Sequence, residues 1–209
     1  EKNLLTLSEN ERRRVRGKDI GMIFQEPGKY LNPAYKIGEQ ITETLILHFN
    51  MTRKSAVAQA LEFLNLVGLG KNKRVLNSYP HELSGGMKQR AMIAMSVACH
   101  PALLIADEPT TALDVTLQLQ ILKLIQNLKD KFSMGVLFIS HDLGVVKEIA
   151  ERTSVIYAGK IVESATRQQL FENPIHPYTK LLLLSIPDAA KRGTRLRAIP
   201  GTVPDAENI

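Results

Sequence analysis

The chain has a single cysteine, Cys99. That excludes an internal disulfide and suits a reducing compartment. Cys99 sits on an apolar helical pattern, so a buried, inert thiol is expected. No apolar run approaches the roughly 20 residues that span a bilayer as a helix. Contact with a membrane would then come through docking on something that spans it. No signal-peptide pattern, internal repeat or low-complexity stretch is visible. A phosphate-binding G-x-x-x-x-G-K-[ST] is also missing. Pro27-Gly28-Lys29-Tyr30 and Leu69-Gly70-Lys71-Asn72 each hold a Gly-Lys pair, but neither has the glycine at the right offset before it or a serine or threonine after it.

With 209 residues, 44% of them hydrophobic, the chain is long enough to bury a core as one domain, or one domain with an appendage. The net charge is +6. A basic balance admits nucleic acid, a membrane surface or phosphate-bearing ligands, and does not choose among them. Much of the charge is local, in Glu11–Lys18 ("ERRRVRGK") and Lys191–Arg197 ("KRGTRLR"). Such runs read more readily as solvated surface than as binding patches.

The hydrophobic period divides the chain. Gly21–Phe24 predicts a short strand, stopped at Gln25-Glu26-Pro27. From Ile37 to about Leu69 the pattern is helical, and another helix follows Ser84 to about Cys99. Ala102–Ala106 is a continuous apolar run ending in Asp107-Glu108-Pro109. An amphipathic helix follows, with Leu117, Ile121, Leu124, Ile125, Leu128 and Phe132 on one face. Gly135–Ser140 is a second apolar run, ending in His141-Asp142. Strand, helix and strand, with both strands apolar throughout, predict a βαβ unit in a buried parallel sheet. Thr153–Glu163 predicts a hairpin around Ala158-Gly159-Lys160. "TRQQLFE" and "YTKLLLLSI" predict two short helices in the tail. The overall expectation is an α/β core holding a mostly helical insert.

In an open parallel sheet, ligands bind beyond the carboxyl ends of the strands. This chain places Gln25, then Asp107 and Glu108, then His141 at three strand ends. One polar residue after a strand is readily a turn cap; three strand ends at once favour a site. A strand-end carboxylate can hold Mg²⁺. Its neighbour can orient and deprotonate water, and an imidazole can contact a transferring phosphoryl group. "LSGGMKQR" (Leu83–Arg90) adds Ser84, a good helix N-cap, and Gly85-Gly86, which let a ligand reach backbone N–H groups. Lys88 and Arg90 oppose the helix dipole there unless an anion or acidic partner is near.

These motifs, in this order, resemble the nucleotide-binding subunit of an ATP-binding-cassette (ABC) transporter. "LSGGM" is similar to the signature LSGGQ, with Met87 in place of glutamine. "ALLIADEP" resembles the Walker B strand, "TALD" (Thr111–Asp114) the D-loop, "FQEP" the Q-loop and "ISHD" the H-switch. The resemblance implies an α/β, parallel-sheet, P-loop-NTPase-like core with an inserted helical subdomain. It implies a division into 1–36 (partial core with the Q-loop), 37–99 (helical subdomain), 100–165 (core with Walker B, D-loop and H-switch) and 166–209 (C-terminal extension). By the same resemblance Glu108 is the general base and His141 contacts the γ-phosphate. Asp107 supports Mg²⁺, and Gln25 contacts Mg²⁺ and the lytic water. Asp114 lies at a subunit interface. Ser84, Gly85 and Gly86 contact ATP held by the opposing subunit.

"FQEP…LNP" (Phe24–Pro33) and the tail "NPIHPYTKLLLLSIP…IPGTVP" resemble the oligopeptide, dipeptide and nickel importers. Gly28-Lys29-Tyr30 departs from them, standing where they more often carry small or hydroxylated residues. The resemblance implies ATP and Mg²⁺ as cofactors and a peripheral place on the cytoplasmic face of the cell membrane. Its implied partners are a second ATPase subunit, identical or paralogous, membrane permease subunits and, indirectly, an extracytoplasmic substrate-binding protein. No nucleic acid is expected. Lacking a P-loop, the chain reads as an N-terminally incomplete subunit that binds ATP poorly and is inactive alone. Two other readings compete: an ABC ATPase working on nucleic acid, and a non-catalytic ABC-like interaction module.

Overall fold

The computed structural model describes residues 3–71, 73–111 and 113–186. It divides into two compact units, Glu1–Ile139 and Ser140–Ile209. The basic run Lys191–Arg197 and "IPGTVP" lie outside the described residues.

In the first unit, helix α1 (Glu9–Val15) is capped by Ser8. Arg12 and Arg16 reach back to Glu9 at 3.4 and 2.7 Å. Exposed pairs of this kind stabilise little, which suits a solvated surface. Strand β1 (Ile20–Ile23) leads to the one-turn helix α2 (Pro27–Tyr30). Helices α3 (Ile37–Phe49), α4 (Arg53–Leu66), α5 (Lys73–Asn77) and α6 (Gly85–Val97) follow. The helical stretch expected from Ile37 to Leu69 is thus two helices. Asn50 takes the left-handed conformation (φ 51°) that ends α3. Thr52 then starts α4, its Oγ1 accepting the Ser55 N–H at 3.3 Å.

Strands β2 (Leu103–Asp107) and β3 (Gly135–Ile139) flank helix α7 (Val115–Phe132). The three strands are parallel, in the order β1-β2-β3. Ile20 lies opposite Leu103, and Asp107 opposite Ile139, so Asp107 ends the central strand at the carboxyl rim of the sheet. One sheet face, with Ile23, Leu104 and Ala106, is sealed against α6 and α7 through Met92, Ile93, Val97, Ile121, Leu124 and Leu128. The other face departs from the buried sheet read from the sequence, because β3 leaves Leu137 51% and Ile139 44% exposed.

Helix α6 holds the insert to the sheet. Its small residues allow a close approach: Ser96 Oγ donates to the Met22 carbonyl at 2.6 Å. A Cβ added at Gly21 would collide with the Ser96 carbonyl oxygen. Helix α3 buries Ile37, Ile41 and Leu45, and α4 buries Ala56, Ala60, Phe63 and Leu64, on the same core.

The second unit contains helix α8 (Leu143–Ile149), strands β4 (Arg152–Tyr157) and β5 (Lys160–Thr166), and helices α9 (Arg167–Glu172) and α10 (Pro177–Leu184). β4 and β5 form the expected antiparallel hairpin. Its two turn residues, Ala158 and Gly159, both have positive φ (47° and 72°), as a type I′ turn requires. The Glu163 carboxylate accepts the backbone N–H groups of Ile175 (2.8 Å) and His176 (3.0 Å), tying the start of α10 to β5. No helix among the described residues is long and apolar enough to cross a membrane.

Candidate functional site

Gln25 stands two residues past β1, and Glu108 directly follows β2. Because β1 and β2 are parallel neighbours, the two side chains meet. Gln25 Nε2 donates to Glu108 Oε2 at 2.7 Å. Thr111 Oγ1 donates to the same oxygen at 2.8 Å. Glu108 has a left-handed backbone, φ 43°, which costs a residue with a Cβ about 1–2 kcal/mol. The fold holds it there by a bond from the Glu108 N–H to the Ile139 carbonyl at 3.0 Å. Both donors are directed at one oxygen and so orient the carboxylate. Asp107 lies beside it at the end of the central strand.

Ser84 caps α6, its Oγ accepting the Met87 N–H at 3.4 Å. The first turn of α6 carries no acidic residue. An open depression of about 470 Å³ lies over this end, lined by Gly68, Leu69, Ser84, Gly86, Met87, Arg90 and Leu117. None of Gln25, Glu108 and Thr111 lines it, so the chain carries two separate candidate half-sites. Asp114 caps α7, its Oδ1 accepting the Leu117 N–H at 2.9 Å, and so fixes the helix whose Leu117 lines the depression.

The puzzle of Arg90 beside a helix N-terminus resolves within the unit. Its guanidinium donates to the Val67 carbonyl at 2.7 Å and to Gln120 Oε1 at 2.9 Å. Val67 is the C-cap of α4, where the helix dipole is negative and a cation is favoured. Arg90 therefore clamps α6 to α4 and α7.

Thr111, Gln120 and the Phe24–Tyr30 stack are contacts that sequence reasoning missed. Thr111 offered a faint signal, a hydroxyl three residues after the strand-end glutamate. His141 belongs to the second unit, between β3 and α8. There Asp142 caps α8 by accepting the Gly144 N–H at 2.8 Å. Cys99 is buried as expected, and burial pushes its thiol pKa up to about 11.

Comparison with known proteins decides the family. The family described as ABC transporter matches residues 2–111, more than half of the chain. The chain belongs to the ABC transporter family. A second family, described as Oligopeptide/dipeptide transporter, C-terminal region, matches residues 162–209. The ABC chain is 55% identical over 204 residues to the probable peptide ABC transporter ATP-binding protein y4tR of Sinorhizobium fredii, covering 97% of itself and 61% of that protein. It is 51% identical over 209 residues to the oligopeptide transport ATP-binding protein AppD of Bacillus subtilis, covering 100% of itself and 64% of that protein. It thus spans less than two thirds of these relatives' length. Among solved structures it is similar to a dimer of the ATP-binding cassette MJ0796 in a post-hydrolysis state bound to ADP and Pi. The TM-score is 0.68 at 29% identity, over 78% of this chain and 68% of that one. The α/β parallel-sheet cassette expected from the sequence is the fold observed.

Proposed function

We propose that this chain is part of the ATP-hydrolysing motor of an ABC importer for oligopeptides or dipeptides. The observation that carries the reading is the Glu108 carboxylate, held by Gln25 and Thr111 at the carboxyl end of the parallel sheet. The names of y4tR and AppD, and the C-terminal family match, support peptide import.

Glu108 accepts the proton of the attacking water as that water's oxygen bonds the γ-phosphorus and ADP leaves. Gln25, fastened through its amide nitrogen, presents its amide oxygen as an acceptor for the lytic water or a metal. His141 contacts the γ-phosphate. Among the described residues no cluster of three or more His, Cys, Asp and Glu stands ready to hold a metal ion. A single strand-end carboxylate, Asp107, beside an amide fits Mg²⁺ that arrives with nucleotide phosphates, since Mg²⁺ takes one or two carboxylates and keeps several waters. When bound, the ion neutralises phosphate charge.

The helix start at Ser84, Gly85 and Gly86 serves ATP held by a second ATPase subunit, with Asp114 at the interface between them. That pairing explains why the signature and Glu108 form separate half-sites, and the dimeric MJ0796 cassette supports it. These 209 residues contain no G-x-x-x-x-G-K-[ST], and the proposed hydrolysis needs such a phosphate cradle in the assembly. The assembly docks peripherally on permease subunits at the cytoplasmic face of the membrane, and a substrate-binding protein delivers cargo on the other side.

The test is Mg²⁺-dependent ATPase activity of the assembled transporter in proteoliposomes, stimulated by peptide and its binding protein. Glu108→Gln should abolish turnover while nucleotide binding persists. Undiminished turnover in that variant removes Glu108 from the mechanism.

A further inference from the structure

Gly28-Lys29-Tyr30 lies in the one-turn helix α2 just after Gln25, and the structure gives it a use. The Tyr30 ring stacks on Phe24 with centroids 3.9 Å apart and planes 9° from parallel. Phe24 is half-buried and also packs on the hydrophobic core. The next residue is Gln25, whose amide holds Glu108.

Tyr30 is itself well fixed. Pro27 opens α2, Lys29 pairs with Glu26 at 2.8 Å, and the Leu31 N–H closes the turn on the Pro27 carbonyl at 3.0 Å. Leu31, only 2% exposed, anchors the far end in the core. Helix α2 also packs against α6, which Ser84 begins. A one-turn helix has too few internal hydrogen bonds to hold its own position. The stack and the anchor at Leu31 supply what the turn lacks.

We infer that Tyr30 is a positioning residue. Stacked on Phe24, it sets the backbone from which Gln25 reaches Glu108, and through α2 it links that reach to the signature helix α6. The inference rests on the ATPase reading above. Tyr30 is 53% exposed, so its removal opens no core cavity, and a purely structural role would leave turnover unchanged. A contiguous path counts as coupling only when perturbing one end moves the other, so the test is a mutant cycle.

In the assembled transporter, Tyr30→Phe keeps the stack and should keep kcat. Tyr30→Ala should lower kcat about three- to tenfold, the scale of one aromatic stack, with KM for ATP unchanged. Tyr30→Ala combined with Gln25→Ala should be no slower than Gln25→Ala alone, because the two act in series. In the isolated chain, Tyr30→Ala should shift the Gln25 side-chain amide resonances and speed their exchange, and Tyr30→Phe should not. A wild-type transporter without Glu108-dependent hydrolysis defeats the ATPase reading, and the resonances then decide the role of Tyr30 alone. An active wild type with Tyr30→Ala at full kcat, or with multiplying effects in the double variant, overturns the inference. Unshifted Gln25 resonances overturn it as well.

Discussion

Replacing Gly85 by alanine separates a glycine kept for a ligand from one kept for packing. Gly85 is the first residue of α6, and a Cβ built there meets no atom within 4 Å. Its φ is not positive. Nothing in the described structure therefore requires glycine at this position. Alanine in a helix is favoured over glycine by roughly 0.5–1 kcal/mol, and the advantage is smaller at a helix start. Unfolding free energy should stay level or rise by up to about 1 kcal/mol, raising Tm by about 2–4 °C for a chain of this size. Turnover should move the other way. A methyl group over the α6 N–H groups displaces the nucleotide they are proposed to meet, and loss of one such donor costs about 10²–10³ in kcat. The assays are thermal unfolding of the chain and ATPase activity of the transporter. Gly21→Ala is the matched control, because its Cβ collides with the Ser96 backbone oxygen. That overpacking should cost about 1–3 kcal/mol. A Gly85→Ala chain destabilised like Gly21→Ala would mean that the glycine is structural. A stable variant with full turnover would remove this helix end from the nucleotide site.

Arg90→Ala loses both arms of the clamp on α4 and α7 and should cost about 2–3 kcal/mol in urea unfolding. Arg90→Lys should recover less than half of that, since a single ammonium nitrogen lacks the planar fork by which Nη1 and Nη2 reach two separate acceptors; a loss below about 0.5 kcal/mol would refute the clamp. At position 108 the usual ranking should invert, with Glu108→Gly more stable than Glu108→Ala by about 1 kcal/mol, because only glycine takes φ 43° without strain. Equal stabilities would show that the backbone relaxes. Cys99 should react with a disulfide reagent at pH 8 far more slowly in the folded chain than in urea. Its thiol holds its proton up to about pH 11. The unfolded thiol ionises at lower pH, so stability should decline as pH rises between the two values. Cys99→Ala should flatten that decline. At Glu163, partial burial pushes the pKa up, but the Ile175 and His176 N–H groups outweigh it and hold the pKa low. Its stabilising effect is therefore present above the ordinary glutamate range and lost as pH falls through the lower folded value. Glu163→Gln should erase that acid-side titration from the Ile175 and His176 amide resonances.

Elements with a strong period were legible. Gly21–Phe24 is β1 shifted by one residue, and the apolar runs after Pro101 and Met134 are β2 and β3. The break between α3 and α4 was also written in the chain, in Asn50 and Thr52, but two adjacent helical patterns masked it. Apolar content misled on burial. It shows that Leu137 and Ile139 favour a cover, and does not show that the described residues supply one. The strand-end places of Gln25, Asp107 and Glu108 were legible because strand ends follow from local pattern. Arg90 could not be understood that way. Its acceptor at Val67 lies 23 residues back and its acceptor at Gln120 lies 30 ahead, and no local period reports either.

The resolved Arg90 contact sharpens the reading of the signature. If both basic residues and the helix dipole had been answered within the fold, "LSGGMKQR" would be a capped turn with incidental charge. Arg90 is answered by the carboxyl end of α4. The start of α6 is not: its first turn has no acidic residue, and Gly85 faces open space. Ser84 accepts one N–H there and supplies no negative charge. A helix start without a carboxylate favours an anion, and the clamp at Arg90 keeps the guanidinium from competing for it. Arg90 therefore serves to hold the helix in place, and the backbone at Gly85 and Gly86 is left open to the proposed phosphate. Gly85→Ala and Arg90→Ala should accordingly fail in opposite ways, the first in turnover with stability intact, the second in stability first.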